Sequence, residues 1–239
     1  MARLWLWLVG LWLPLVACAE PIHLIYFRMP PFADEVGGKA FGPAVTLVEE
    51  LTAGLDVAPQ PVQMPLRRLE HALKTEKTIA IGLGRTARRE ALGFTWVAEL
   101  FHDDYYFVTL APHPAVAGFD EARKLERIAC NLGSAPHDIL IGQGFTNIEN
   151  ANDLRSEGAK LRAGHADGWF DLKVFIDNTW RSLGHDPAEL NWSKPVQSQS
   201  VWIAASPLVE PAVIDTMRRR FEAVKSQGRL DPLLARLLQ

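Results

Sequence analysis

Short apolar, β-rich runs alternate with segments of helical spacing along almost the whole chain, and that alternation leaves few folds open. His23–Phe27, Thr78–Leu83, Tyr105–Leu110, Arg127–Asn131, Ala166–Phe170 and Gln199–Ala204 read as strands. Val57–Met64 reads as a strand interrupted by prolines, and a further strand lies near Asn147. Between them, Gly42–Gly54 sets Val45, Val48, Leu51 and Leu55 at helical spacing. Leu66–Leu73, Ala87–Leu92, Phe119–Leu125, a stretch from about Ser134, Asn152–Leu161 and Val174–Ser182 read as further helices. Glu210–Gln227 is the clearest amphipathic helix, and Pro232–Leu238 a short closing one. Strands alternating with helices predict an α/β protein with a mainly parallel sheet.

Two breaks divide the pattern. Pro112 and Pro114 form one, and the irregular, proline-bearing Leu190–Val196 forms the other. The segment 110–196 is then expected to make one lobe, with 20–109 and 197–239 combining into a second, discontinuous one. Two connections between lobes make a hinge, with a cleft between them. Hydrophobic residues at 48% against 22% charged supply a full-sized core. The net charge of −3 argues against nucleic acid, which needs a basic face. Cys18 and Cys130 are too few for a disulfide scaffold or a structural zinc site.

Residues 1–19 stand apart from the fold. Arg3 is their only charge, an apolar run follows from Leu4 to Leu15, and small residues stand at Ala17 and Ala19. This is the layout of a secretory signal peptide; the alternative, a membrane anchor, has a short apolar run broken by Pro14. Ala17-Cys18-Ala19 suits cleavage before Glu20, while Leu15-Val16-Ala17-Cys18 also has the form of a lipobox that would lipidate Cys18. Cleavage leaves Cys130, in an apolar run, as a buried strand residue. The expected location is outside the cytoplasm, in soluble form.

Most catalytic constellations are absent or weak. Gly82-Leu83-Gly84-Arg85-Thr86-Ala87 matches a dinucleotide fingerprint in outline, but the helix after it is too short and the first strand lies well upstream. There is no G-x-S-x-G elbow and no phosphate-cradling G-x-x-x-x-G-K-[ST]. The seven histidines form no H-x-H or H-x-x-x-H pair. His102-Asp103-Asp104 reads as a solvated loop, and no metal or cofactor is expected. The segment from Thr78 to Trp96 says more. A strand delivers a glycine-flanked loop and a short helix carrying Arg85, Arg88 and Arg89. Guanidinium groups at the mouth of a strand suit carboxylate capture, although composition alone would make them a solvated face.

Arg85-Thr86-Ala87-Arg88-Arg89-Glu90 followed by Phe94-Thr95 resembles the T-x-x-R…F-S signature of bacterial extracellular solute-binding proteins, the polar amino-acid group serving ABC importers. Tyr26-Phe27-x-x-Pro30-Pro31-Phe32 resembles the Y-x-P-P-F opening beside the ligand. Cys130–Ser134 resembles the second-lobe loop whose helix start meets the ligand. Gly164–Gly168 resembles G-R-x-D-A, and Val201–Ala205 with Val213–Leu230 the returning strand and terminal helix. The resemblance covers residues 21–239. It implies a two-lobed periplasmic binding protein type II fold, a ligand cleft between lobes, and a two-strand hinge through roughly Val108–Leu110 and Pro195–Val201. The implied ligand-binding residues are Arg89 as the carboxylate clamp, Gly82, Gly84, Thr86, Phe32, Ser134, and Asp171 as the anion for a ligand ammonium. The implied activity is capture of a small carboxylate-bearing solute by a monomer, and delivery to the membrane permease of an ABC importer. Departures stand at Gly82, Gly84 and Ala135, where hydroxyl residues are common, and at Met29 and Leu66, where aromatic rings often sandwich the ligand. Trp169 or Phe170 is a substitute apolar contact or a core residue. The alternatives are a lyase on the same fold, of the cyclohexadienyl dehydratase kind, with Glu99, Asp103 or Asp171 as general acid, and a free-standing ligand-sensing domain.

Overall fold

A computed structural model describes residues 21–58, 62–230 and 232. The leading segment and most of Pro232–Leu238 lie outside the described residues. In chain order the first part comprises β1 (His23–Tyr26), β2 (Asp34–Val36), β3 (Lys39–Phe41), α1 (Pro43–Thr52), β4 (Val62–Gln63), α2 (Leu66–Thr75), β5 (Thr78–Gly84), α3 (Ala87–Glu90) and β6 (Thr95–Thr109). Next come α4 (Phe119–Ala122), β7 (Ile128–Asn131), α5 (Ala135–Gly142), β8 (Ile148–Ala151), α6 (Leu154–Arg162), β9 (Gly168–Leu172) and α7 (Lys173–Ser182). The chain returns through β10 (Asn191–Trp192), β11 (Gln197–Ala205) and α8 (Pro211–Ser226).

The main sheet runs β4-β1-β5-β11-β6-β9-β7-β8, with β10 also on β6. It is parallel only toward its two ends, where β1 pairs with β4 and β5, and β7 with β8 and β9. Its middle is antiparallel, because β11 returns between β5 and β6, and β6 pairs antiparallel with β9. The expectation of a mainly parallel sheet is corrected accordingly. A crossover helix gives a parallel neighbour, but a strand returning from the opposite direction does not.

β6 holds the two halves together. Its first part pairs with β11 alone, and Tyr105–Thr109 pair with β9 of the other half. At 15 residues it is about 50 Å long, enough to run through both. The sequence places this strand ten residues too late, at Tyr105. The register of β11 against β6 slips between Val201 and Trp202 and between Ile203 and Ala204, which bends and twists the pair where it crosses. The β2–β3 hairpin is a second feature unread in the sequence. Gly37 and Gly38 take φ of 59° and 76°, the left-handed pair that a two-residue hairpin turn demands.

Strand alternation sorts the core into layers. Leu24, Tyr26, Ile79 and Ile81 face the large cluster beneath α1 and α8, while Ile25, Ala80 and Leu83 face Leu66, Leu69 and Leu73 of α2. The apolar stripe of α2 is Leu66, Leu69 and Leu73, and Glu70 shares its buried side. Arg67, Arg68, His71 and Lys74 face out. Each leucine of that stripe is worth about 2 kcal/mol of burial.

Candidate ligand-binding site

A cavity lies where the two halves meet. One half contributes Phe27, Leu66, Gly82, Gly84 and Arg89, and the other Asn131, Ser134, Ala135, Pro136, Leu154, Asp171, Leu172 and Phe175. The crossing strands add Tyr105 and Val201. The space open to the centre of a water molecule is about 40 Å³, room for about three waters. A solute of amino-acid size therefore enters only if the halves part.

Of the residues expected to bind ligand, Gly82, Gly84, Arg89, Ser134 and Asp171 line this cavity together. Thr86 and Phe32 do not. Thr86 caps α3, its side chain accepting from Arg89 N–H at 3.2 Å. Phe32 is fully buried one layer behind, stacked on Phe101 at 4.0 Å and edge-on to the cavity residue Phe175 at 6.0 Å. Trp169 and Phe170 are core residues. The aromatic lining comes instead from Phe27, Tyr105 and Phe175.

The small residues set how closely the halves approach. A Cβ on Gly84 would stand 2.8 Å from Ala135 Cβ, at the start of α5, so a larger residue there forces something to shift. Over Gly82, the Met29 side chain occupies the space a Cβ would need. Ser134 caps α5, its Oγ accepting from His137 N–H at 3.2 Å, which aims the positive end of that helix at the cavity wall.

The three arginines have different fates. Arg85 lies outside the cavity, its guanidinium over Trp96 and Trp202 and paired with Glu90. Arg88 is half-exposed and donates both Nη groups to Glu70, at 2.8 and 2.6 Å, and its Nε to Asp138 of the opposite half at 2.8 Å. Arg89 is 1% exposed. Its Nε donates to Glu70 at 2.8 Å, Nη1 to the Gly84 carbonyl at 2.8 Å and Nη2 to the Gly133 carbonyl across the cleft at 3.1 Å. Burial would raise the pKa of Glu70, but hydrogen bonds and charge from Arg88 and Arg89 outweigh it and hold the carboxyl below its usual range.

The opposite wall is acidic and unpaired. Asp171 is 4% exposed and among the described residues accepts only from Leu172 N–H at 2.7 Å. Burial pushes its pKa up to about 7, against the pull of that N–H, with the charge of Asp103 adding to the rise. Behind it, Glu157 of α6 is fully buried; the Asn131 N–H and the Trp169 indole lie near its carboxyl, but among the described residues no donor meets it in good hydrogen-bond geometry. Burial and then the Asp171 charge push its pKa well up. Tyr105 and Cys130 are likewise held neutral, chiefly by burial.

The other acidic candidates are committed elsewhere. Asp103 lies within β6 rather than in a loop, and its carboxylate accepts from Val174 N–H at 2.8 Å. Glu99 accepts from Ser200 Oγ at 2.8 Å and lines a different groove. Asp167 accepts from Glu126 and Arg127 N–H at 2.9 Å each, a turn-building role. Among the described residues no group of three or more His, Cys, Asp or Glu is placed to hold a metal ion, and no helix is long and apolar enough to cross a membrane.

Glu70, Glu157, Tyr105 and Phe175 are the residues that sequence reasoning passes over. The two glutamates carried a signal: each stands in the i, i+3, i+4, i+7 apolar stripe of its helix, where a charge has to be buried.

No family model matches the sequence, and no curated protein does. Solved structures do. A histidine kinase sensor domain with similarity to periplasmic binding proteins superposes with a TM-score of 0.80 at 15% identity, over 92% of this chain and 96% of that one. A variant of ArgBP from T. maritima gives 0.78 at 16% identity, over 92% and 95%. An ancestral amino-acid-binding protein, a precursor of cyclohexadienyl dehydratase, gives 0.76 at 14% identity, over 92% and 96%. At these identities the likeness is one of fold, and it matches what the sequence motifs imply: the chain has the two-lobed α/β fold of the type II periplasmic binding proteins.

Proposed function

We propose that the chain is a solute-binding protein that captures a small organic ion between its two halves and delivers it to an ABC-type importer. The reading rests on one observation: a buried guanidinium from one half and a buried, unpaired carboxyl from the other line the same cavity. An organic ion taken from water into such a space needs fixed partners for its charge. Asp171 offers one for an ammonium, and the N-terminus of α5 with Ser134 offers polar contacts beside it. Entry requires the halves to part, and β6 and β11 are the strands about which they would turn. The lobes are then 20–109 with 197–239, and 110–196, as the sequence expects, and the protein works outside the cytoplasm as a monomer.

Arg89 remains part of the site in this reading, but as a group already holding Glu70 and two carbonyls rather than as a free clamp. The test is thermal shift on protein lacking residues 1–19, against amino acids, amines and small carboxylates, repeated on Asp171→Asn and Arg89→Ala. A solute present at about 100 times its Kd raises stability by about 2.7 kcal/mol. Small-angle scattering of the wild type with and without that solute should show contraction. A hit retained in both variants discards this site.

One observation favours a second reading. A carboxyl with a pKa of about 7 in a water-poor cavity suits general acid catalysis, as a lyase on this fold would need. Turnover of a bound solute, lost in Asp171→Asn without loss of binding, would decide for it.

A further inference from the structure

The cavity contains one guanidinium and one carboxyl, but their surroundings are not symmetric. Glu70, 8% exposed, holds Arg89 Nε at 2.8 Å and both Nη groups of Arg88. Arg88 also reaches Asp138. Two guanidinium groups thus face two carboxylates, and the network is neutral. A carboxylate docks on arginine through two parallel hydrogen bonds from neighbouring nitrogens. All three nitrogens of Arg89 already donate to oxygens of the chain itself. These bonds take three of the five N–H groups, and a solute carboxylate docking on the one left on each Nη would meet a cation whose charge the buried Glu70 already balances. On the opposite wall Asp171 has no cationic partner among the described residues, the Asp103 charge acts on it, and it acts in turn on Glu157. The ionisable group of the cavity without a partner of opposite charge is therefore an acid.

We propose that Glu70 is the specificity-determining residue of this cavity: it supplies from within the chain the carboxylate that Arg89 would otherwise take from a solute, so that the site selects small organic amines over the amino acids carrying the same amine. This deepens the solute-binding reading and rests on it.

The test is isothermal titration of matched pairs: ethylamine and alanine, putrescine and ornithine, agmatine and arginine. In the wild type, at least one amine is expected to bind at least tenfold tighter than its amino acid. Glu70→Gln keeps the volume and one acceptor but leaves Arg89 uncompensated, so it should shrink that preference at least tenfold. A wild type that binds an amino acid as tightly as its amine overturns the inference while leaving the solute site in place. An unchanged preference in folded Glu70→Gln, checked by circular dichroism, overturns the role of Glu70. If none of the six compounds binds the wild type, the solute-site reading falls and this inference with it. Should Glu70→Gln fail to fold, Glu70→Asp, which draws the carboxylate back from Arg89, replaces it: a reduced preference is expected, and an unchanged one overturns the role of Glu70.

Discussion

Replacing Asp171 with asparagine isolates the energetic consequence of a buried, unpaired carboxyl. In the unfolded chain this group titrates near its ordinary value of 3.8, and in the folded protein at about 7. Between those values the folded state holds a proton that the unfolded state has lost. Stability therefore falls as pH rises, by about 1.4 kcal/mol per pH unit. The stabilising contribution is fully present below the unfolded value and is lost as pH rises through the folded one, about 4 kcal/mol in all. The amide introduced by Asp171→Asn carries no titrating proton and lacks this slope. Urea denaturation of wild type and Asp171→Asn at pH 5, 6, 7 and 8 measures the difference directly. The variant should gain on the wild type steadily from pH 5 and level off above pH 7. For a chain of this size the gap at pH 8 corresponds to about 10 °C in Tm. Other groups do not mimic the result. His137, whose pKa is lowered by burial, tilts stability the opposite way in both proteins, and Glu70 titrates below this window. Glu157 slopes in the same direction, and the part of its rise that the Asp171 charge causes disappears with Asp171, so it adds to the same difference rather than mimicking it. A stability difference that stays constant from pH 5 to 8 would refute the view of Asp171 as a buried acid without a cation.

Three further outcomes follow from the same geometry. Gly84→Val puts bulk where a Cβ already meets Ala135, so the halves should stand further apart, read as a larger radius of gyration in scattering and weaker solute binding. Asp167→Ala leaves the Glu126 and Arg127 N–H groups without their acceptor and should cost about 2 kcal/mol in urea denaturation, with solute affinity unchanged. Cys130 is fully buried with its thiol held neutral, so it should react with a thiol-specific reagent only when the protein is unfolded.

The fold was legible because its main determinants are local. Leu66, Leu69 and Leu73 mark a helix face, and Thr78–Gly84 marks a buried strand, with no information from elsewhere in the chain. The start of β6 was not legible for the opposite reason. Thr95–His102 mixes Glu99 and His102 into an apolar run, and it becomes strand because β11, about a hundred residues later, lies against it. The parallel or antiparallel sense of a pair is likewise set by which strand arrives beside which, and periodicity within a segment is silent on that. The Gly37-Gly38 hairpin is different: its turn chemistry was present in the sequence, but strands of three residues each are too short to show alternation.

The site divides along the same line. Gly84, Arg89 and Ser134 sit at the ends of strands and at helix starts, where a motif places them within a few residues of each other or of a capped helix. What those groups do depends on partners that no motif fixes. Arg89 reads as a free clamp until α2 is packed beside it. Then Glu70, the charged residue in an apolar stripe, has to find a cation, and Arg89 with Arg88 are the cations within reach. The same packing that satisfies Glu70 removes the free positive charge from the cavity and leaves Asp171 as its unpaired group. A charged residue at a buried helix position therefore constrains the site as firmly as the signature arginine does. Had the stripe of α2 carried leucine at position 70, Arg89 would lack a carboxylate from within the chain; with glutamate there, its charge is balanced before any ligand arrives.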